Sequence, residues 1–274
     1  MPPITLNDRK YLEKQYKDAS NLEARINLHQ RFSVNKYGWH PWVFDQFDLP
    51  AHCQILELGC GPGYLWLDNL DRLPAGWEVT LSDFSAGMLE GTRRNLGTKR
   101  QFQYKVIDAQ SIPLESESFD AVIANHMLYH VPDRSLALAE IRRILKPAGS
   151  FYASTVGEQH LVEIANLLRK FDTKLASWGR VAEPFTLENG IAQISPWFTD
   201  IKLYRYEDCL EVTEAAPLVE YILSGWAQIA LGEQEQQFRQ FVARELESLG
   251  GAIHITKDSG LFVSVPKEDK NENQ

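Results

Sequence analysis

The residues best suited to chemistry in this 274-residue chain sit in one run, Ile55-Leu56-Glu57-Leu58-Gly59-Cys60-Gly61-Pro62-Gly63. A glycine-rich turn between an apolar run and a following helix lets a ligand approach the backbone closely. Two cofactor classes use such a turn, and the spacing separates them. A dinucleotide fingerprint, G-x-G-x-x-G, needs glycine at position 64. Here position 64 is Tyr64 and the glycine is Gly63, giving E-x-G-x-G-x-G. Glu57 also suits an ammonium group better than a phosphate. Two more carboxylates, Asp83 and Asp108, each follow an apolar run, as does Asn125. A carboxylate offers two acceptor oxygens and no donor, so it can hold two vicinal hydroxyls. The plainer reading of each Asp is a helix cap. Cys60 reads as a small turn residue and not as a reactive thiol.

His126 and His130 stand four apart, so on a helix they share a face, and half a metal site has that spacing. No third ligand is evident and H-E-x-x-H is absent, so no metal is expected. His126 follows an apolar run and is the candidate general base, with His130 beside it in a catalytic or orienting role. Of the seven Trp and ten Tyr, most belong in a core, because aromatics carry large buried areas. Trp39, Tyr129 and Trp178, with His126, are the candidates to line a substrate pocket.

These residues need elements to position them. The first 50 residues read as helical, with Tyr11, Leu12, Tyr16, Leu22, Ile26 and His29 near helical spacing and Asn7 or Asp8 as cap. Pro41 is expected to stop or kink a helix. From Cys53 strands and helices alternate. Strands are predicted at 55–58, 79–81, 102–107, 119–124 and 150–155, with helices at 63–73, 85–96 and 135–145. Further on, helices are predicted at 160–171, 187–194, 215–230 and 235–249, with strands at 201–210 and 261–265. Strands alternating with helices, polar at the strand C-termini, indicate a doubly wound parallel sheet. Ligands then bind beyond the carboxyl ends of the strands, where Glu57, the glycines, Asp83, Asp108 and Asn125 fall.

Composition narrows the function. The chain is 44% hydrophobic and 24% charged, with a formal net charge of −9. So acidic a chain lacks the electrostatic footprint of a nucleic-acid binder. The longest apolar stretches, such as 119–128, fall far short of the roughly 20 residues a membrane-spanning helix needs. The N-terminal residues MPPITLNDRKYLEK show no basic flank followed by an apolar core, so no secretory signal is visible. Three cysteines, Cys53, Cys60 and Cys209, with no CxxC pair, fit a reducing cytosol, and a cytoplasmic location is expected.

In these motifs the chain resembles the class I S-adenosylmethionine-dependent methyltransferases. It resembles most their small-molecule branch, which includes the ubiquinone and menaquinone C-methyltransferases (type 11). The resemblance runs in order from Cys53 to Thr155: ELGCGPG, LSDFSAGML, IDAQSIPLESESFDAVIANHMLYHV and IRRILKPAGSFYAS. It implies that Glu57, Gly59, Cys60, Gly61 and Gly63 form the cofactor turn. Asp83 would bind both ribose hydroxyls, with Phe84 and Met88 flanking adenine. A buried Asp108 would accept from the adenine amino group, beside Ala109 and Gln110, and Asn125 and His126 would lie beside the methionine part. The sulfonium methyl is already electrophilic, so the protein's task is in-line alignment and exclusion of water, with a base needed only where the acceptor must lose a proton.

The expected fold is therefore α/β, a doubly wound seven-stranded sheet with its last strand antiparallel. The expected organisation is an N-terminal helical cap (1–50), an S-adenosylmethionine-binding core (51–156), a helical lid (157–200), completion of the sheet (201–266) and a disordered tail (267–274). The expected function is methyl transfer from S-adenosylmethionine to a small-molecule acceptor, without nucleic acid or membrane. The Asn/Asp-Pro-Pro-aromatic signature of DNA-modifying amino-methyltransferases is missing; the fourth strand ends ANHM. Two alternatives share the fold: an NAD(P)-dependent oxidoreductase, which Tyr64 disfavours, and a protein that binds the cofactor without turnover.

Overall fold

The computed structural model describes residues 20–175, 185–225 and 231–268. Its centre is one seven-stranded sheet in the order β3-β2-β1-β4-β5-β7-β6. The strands are β1 (His52–Leu58), β2 (Gly76–Asp83), β3 (Gln103–Val106), β4 (Phe119–Asn125), β5 (Leu145–Val156), β6 (Phe198–Val212) and β7 (Ile253–Pro266). The first five run parallel; β7 runs antiparallel to both β5 and β6. The predicted seven-stranded α/β architecture is the observed one.

The central strands read as near-continuous apolar runs because both sheet faces are covered. Alternate residues serve opposite cores. Leu56, Leu58, Val122, Ala124, Phe151 and Ala153 pack into one cluster. Ile55, Ala121, Ile123 and Tyr152 pack into the other, with Trp66 and Trp77. A third cluster joins helix α1 (Ser20–Phe32), through Leu28 and Phe32, to Leu210, Val212, Ile253 and Ile255 of the outer strands.

The two outer strands outrun the rest of the sheet. Val156, the last residue of β5, pairs with Ser259, so 253–258 continue beyond the carboxyl ends of the parallel strands, paired with 207–212 of β6. The chain after α1 lies along the outer edge of β6, with Ser33 bridging Leu210 and the Val34 N–H donating to the Cys209 carbonyl at 2.9 Å. It then enters helix α2 (Trp39–Asp45). Pro41 neither stops nor kinks that helix: it stands in the first turn, where its missing N–H would have no helical partner anyway.

Of the segment 157–200, helix α3 (Val162–Phe171) packs into the third cluster through Ile164, Leu167 and Leu168. Phe185, Leu187, Ile194 and Phe198 pack into the first. The predicted N-terminal cap contacts at Tyr11, Leu12 and Tyr16, the lid residue Trp178 and most of the 267–274 tail lie outside the described residues.

Candidate functional site

The glycine turn leaves β1 and lies against the end of β2. Gly59, Gly61 and Gly63 have φ of 66°, 53° and 79°, in the left-handed region that glycine adopts without a Cβ clash. The Cys60 N–H donates to the Ser82 carbonyl at 2.8 Å and the Gly61 N–H to Asp83 Oδ2 at 3.1 Å. Asp83 Oδ1 accepts the Ser85 N–H at 2.9 Å. Asp83 is thus a clamp between turn and strand; the cap of the next helix (Ala86–Leu96) is Ser85, whose Oγ accepts from Met88 N. Burial raises the Asp83 carboxyl to about 6 against the opposing backbone hydrogen bonds. Beyond these backbone donors, which include Phe84, the two oxygens keep acceptor capacity, which is what a vicinal diol requires.

A Cβ at Gly63 would stand 2.6 Å from Thr92 Cγ2, with φ already positive. Gly63→Ala should therefore cost about 1–3 kcal/mol, from strain and overpacking together. Urea unfolding reads this, and an unchanged midpoint would show that the turn is not under that constraint.

Glu57 is placed differently from the expectation of an open carboxylate facing an ammonium group. It is 1% exposed, and its Oε2 accepts the Trp66 indole N–H at 2.6 Å. Burial, with Asp83 nearby, lifts its acid to about 8, so at neutral pH it is largely protonated and anchors the short helix Tyr64–Leu67 to β1. Glu57→Gln should keep the indole bond and raise stability above pH 8, where the native carboxyl must ionise inside the core; equal melting temperatures at pH 9 would refute this. Cys60 is buried, with its thiol well above the usual range through burial, in line with a turn residue and not a nucleophile.

The adenine side differs in one respect. Among the described residues Asp108 is exposed, not buried, because it follows β3, the edge strand of the sheet, and no described element covers it. Its Oδ1 accepts the Gln110 N–H at 2.9 Å and Gln110 Nε2 at 3.0 Å. Ala109 is buried in the first core cluster. Phe84 is 40% exposed whereas Met88 is 2% exposed, so Phe84 offers the open apolar face.

At the end of β4, Asn125 Oδ1 accepts the Ser154 hydroxyl at 2.6 Å and the Trp39 indole N–H at 3.2 Å. The next residue, His126, has φ 52° and its N–H donates to Ser154 Oγ at 2.9 Å. His130 lies in a 3-10 turn, Leu128–His130, so the two histidines do not share a helix face. The His126 ring lies 4.9 Å from that of Trp39 and 6.4 Å from that of Tyr129, which itself meets His130 at 4.5 Å. Burial, with the fields of His160, His40, Lys257 and His130, pushes the His126 imidazole down to about 3. It is neutral at any ordinary pH.

Beside His126 the fold assembles groups that sequence reasoning missed. Lys257 and Asp208 are direct cross-strand partners and form an ion pair, 9% and 0% exposed. His29 and His160 stack with centroids 6.4 Å apart, and burial lowers both imidazoles to about 3. Tyr206 lies edge-on to Trp39 at 5.5 Å and under the Lys257 ammonium at 5.6 Å. None of these five carries a motif. The one sequence signal was alternation, since Tyr206, Asp208, Leu210 and Val212 share one strand face.

A doubly wound sheet with a glycine turn after β1 and an acidic clamp at the end of β2 defines a Rossmann-like cofactor domain. Residues 56–153 match the family model described as a methyltransferase domain. Over 144 residues the chain is 31% identical to a demethylmenaquinone methyltransferase of Staphylococcus aureus, covering 52% of this chain and 58% of that protein. The chain spans 24% to 58% of the length of three curated relatives it matches. Among solved structures it is similar to Haemonchus contortus phosphoethanolamine N-methyltransferase 2 in complex with S-adenosylhomocysteine. That match has a TM-score of 0.59 at 18% identity, over 97% of this chain and 61% of that one. It is also similar to a (4+2)-cyclase, SpnF, with a TM-score of 0.60 at 16% identity, over 98% and 99% of the chains. These structural likenesses concern the fold. No helix among the described residues is long and apolar enough to cross a membrane.

Proposed function

We propose that this chain transfers the methyl group of S-adenosylmethionine to a small-molecule acceptor. The observation that carries the reading is Asp83: a buried carboxylate at the end of β2, clamped to the glycine turn, with acceptor capacity left for two ribose hydroxyls. Tyr64 in place of the third dinucleotide glycine favours this cofactor over NAD(P). Gly59, Gly61 and Gly63 would admit the methionine part, Phe84 would cover one adenine face, and Asp108 would accept from the adenine amino group. When bound, the cofactor supplies an electrophilic methyl group. The chain's own residues supply position: Asn125, fixed by Ser154 and Trp39, closes the boundary between cofactor and acceptor, and the Trp39 and Tyr129 rings keep water out. The three free cysteines are consistent with work in the cytoplasm.

Burial, which pushes the His126 imidazole down to about 3, favours a neutral ring that orients the acceptor over a general base. His126→Phe should keep cofactor affinity and lower turnover by less than the ~100-fold typical of a lost general base. A pH–rate inflection near 6.5 that vanishes in His126→Phe would restore the base role. An inflection near 6 that survives the substitution belongs to Asp83.

Calorimetric titration with S-adenosylmethionine, S-adenosylhomocysteine and NADH tests the cofactor. Release of S-adenosylhomocysteine with an acceptor panel tests turnover. Binding of NADH alone would overturn the proposal, and tight cofactor binding with no turnover on any acceptor would leave a binding protein.

A further inference from the structure

The cluster beyond the ends of β4 and β5 keeps donors unspent. Asp208 is saturated: Oδ1 accepts the backbone N–H of Asn35 at 2.9 Å and of Cys209 at 2.8 Å, and Oδ2 meets the Ser33 hydroxyl and Lys257. Among the described residues Lys257 spends two of its three N–H donors, on Asp208 and, at 3.3 Å, on Ser33. The saturated carboxylate leaves the unspent hydrogen-bonding capacity of the cluster on Lys257 and the imidazoles, and, after burial, the Lys257 ammonium also helps to lower His29, His126 and His160. His29 Nδ1 is buried with no hydrogen-bond partner among the described residues, a condition that a ligand would relieve. Trp39, Trp42 and Tyr206 wall the cluster with rings 5.2–5.5 Å apart.

Resting on the methyltransferase reading above, we propose that this cluster is the acceptor subsite and that the acceptor is an aromatic organic anion, its carboxylate or phenolate oxygen held by Lys257 and His29. The ring body packs against Trp39 and Tyr206. An amine is disfavoured, because the Asp208 carboxylate is already saturated and the nearest unspent charged group is the Lys257 ammonium.

The test is calorimetric titration of the intact protein, saturated with S-adenosylhomocysteine, with four probes: benzoate, 4-nitrophenolate, benzamide and benzylamine. The two anions separate a carboxylate from a phenolate; benzamide is the neutral shape match and benzylamine the cation. At least one anion should bind ~10-fold or more tighter than benzamide, as charge-assisted bonds exceed neutral ones, and benzylamine should not bind. In the paired variant Lys257→Met with Asp208→Asn, the anion preference should fall to about twofold or less with benzamide unchanged. The asparagine keeps an acceptor oxygen for the Asn35 and Cys209 N–H groups, so that variant removes both charges and keeps those hydrogen bonds. Equal binding of benzoate, 4-nitrophenolate and benzamide by the native protein, preference for benzylamine, or no binding of any probe by loaded protein would overturn the proposal. Failure to take up S-adenosylhomocysteine would instead sink the methyltransferase reading, and the same four titrations on the unloaded protein would still decide the subsite.

Discussion

Asp83→Ala should abolish measurable S-adenosylmethionine binding, weakening it by ~100-fold or more, since two hydrogen bonds to a charged group are worth about 1.5–3 kcal/mol each. The loss has two sources. The acceptors for the ribose hydroxyls disappear, and the N–H groups of Gly61 and Ser85 lose the carboxylate that fixes the turn. The second source should also appear without ligand, as a fall of about 1–3 kcal/mol in unfolding free energy. Asp83→Asn keeps one carbonyl oxygen and presents an amide N–H to one of the two backbone donors, so its affinity should lie between. Calorimetric titration of the three proteins with S-adenosylmethionine and S-adenosylhomocysteine measures this. An alanine variant that binds like the native protein would remove Asp83 from the cofactor site.

Stability should peak between about pH 6 and 7 and fall on both sides. His29, His126 and His160 have folded pKa values near 3 against an ordinary 6.5. Their depressed values mean that stability is fully present above about 6.5 and is lost as pH falls toward 3, because the unfolded chain takes up protons that the folded one refuses. Glu57 and Asp83 work in the opposite sense. Their raised values, about 8 and about 6, give stability that is present at low pH and lost as pH rises through those values. On the alkaline side Glu57 alone governs between about 7 and 8. Between about 4.5 and 6 the two acids offset most of the histidine effect. Below about 4 the two acids offset less of the histidine effect, and the slope steepens to about 2–3 kcal/mol per pH unit. Asp120 and Asp208, held low by Lys146 and Lys257 respectively among their partners, steepen the acid limb further. Urea unfolding from pH 3.5 to 9 measures the curve. Stability that rises steadily from pH 4 to 9 would contradict the burial of Glu57, and an acid limb without proton uptake would contradict that of the histidines.

The legible part of this molecule was local. Strands β1, β2, β4 and β5 announced themselves as apolar runs ended by Gly59, Asp83, Asn125 and the turn after Val156, because strands buried on both faces need unbroken apolar sequence. The helix predicted over 63–73 was less legible. It breaks into Tyr64–Leu67 and the 3-10 turn Leu70–Arg72. Asn69 is buried there and gives its amide to the carbonyls of Leu65 and His40, competing with the helical ladder. Strand β7, predicted over 261–265, is Ile253–Pro266, because its first half, with His254, Lys257 and Asp258, is stabilised by pairing with β6 and not by its own pattern.

The same division runs through the site. By itself the sequence determined the sheet, the glycine turn and the acidic position at the end of β2, since each rests on neighbouring residues in a single βα unit. Tertiary structure alone decided that Asp108 stands exposed just after the edge strand, that Glu57 is sealed beneath Trp66, and that His126 packs on Trp39 near the cluster of His29, His160, Tyr206, Asp208 and Lys257. Those groups come from segments up to 228 residues apart, Lys257 against His29, and no local spacing rule connects them. They meet because β6 and β7 run past the carboxyl edge of the parallel strands and carry a buried ion pair to where α1 and the end of β4 converge.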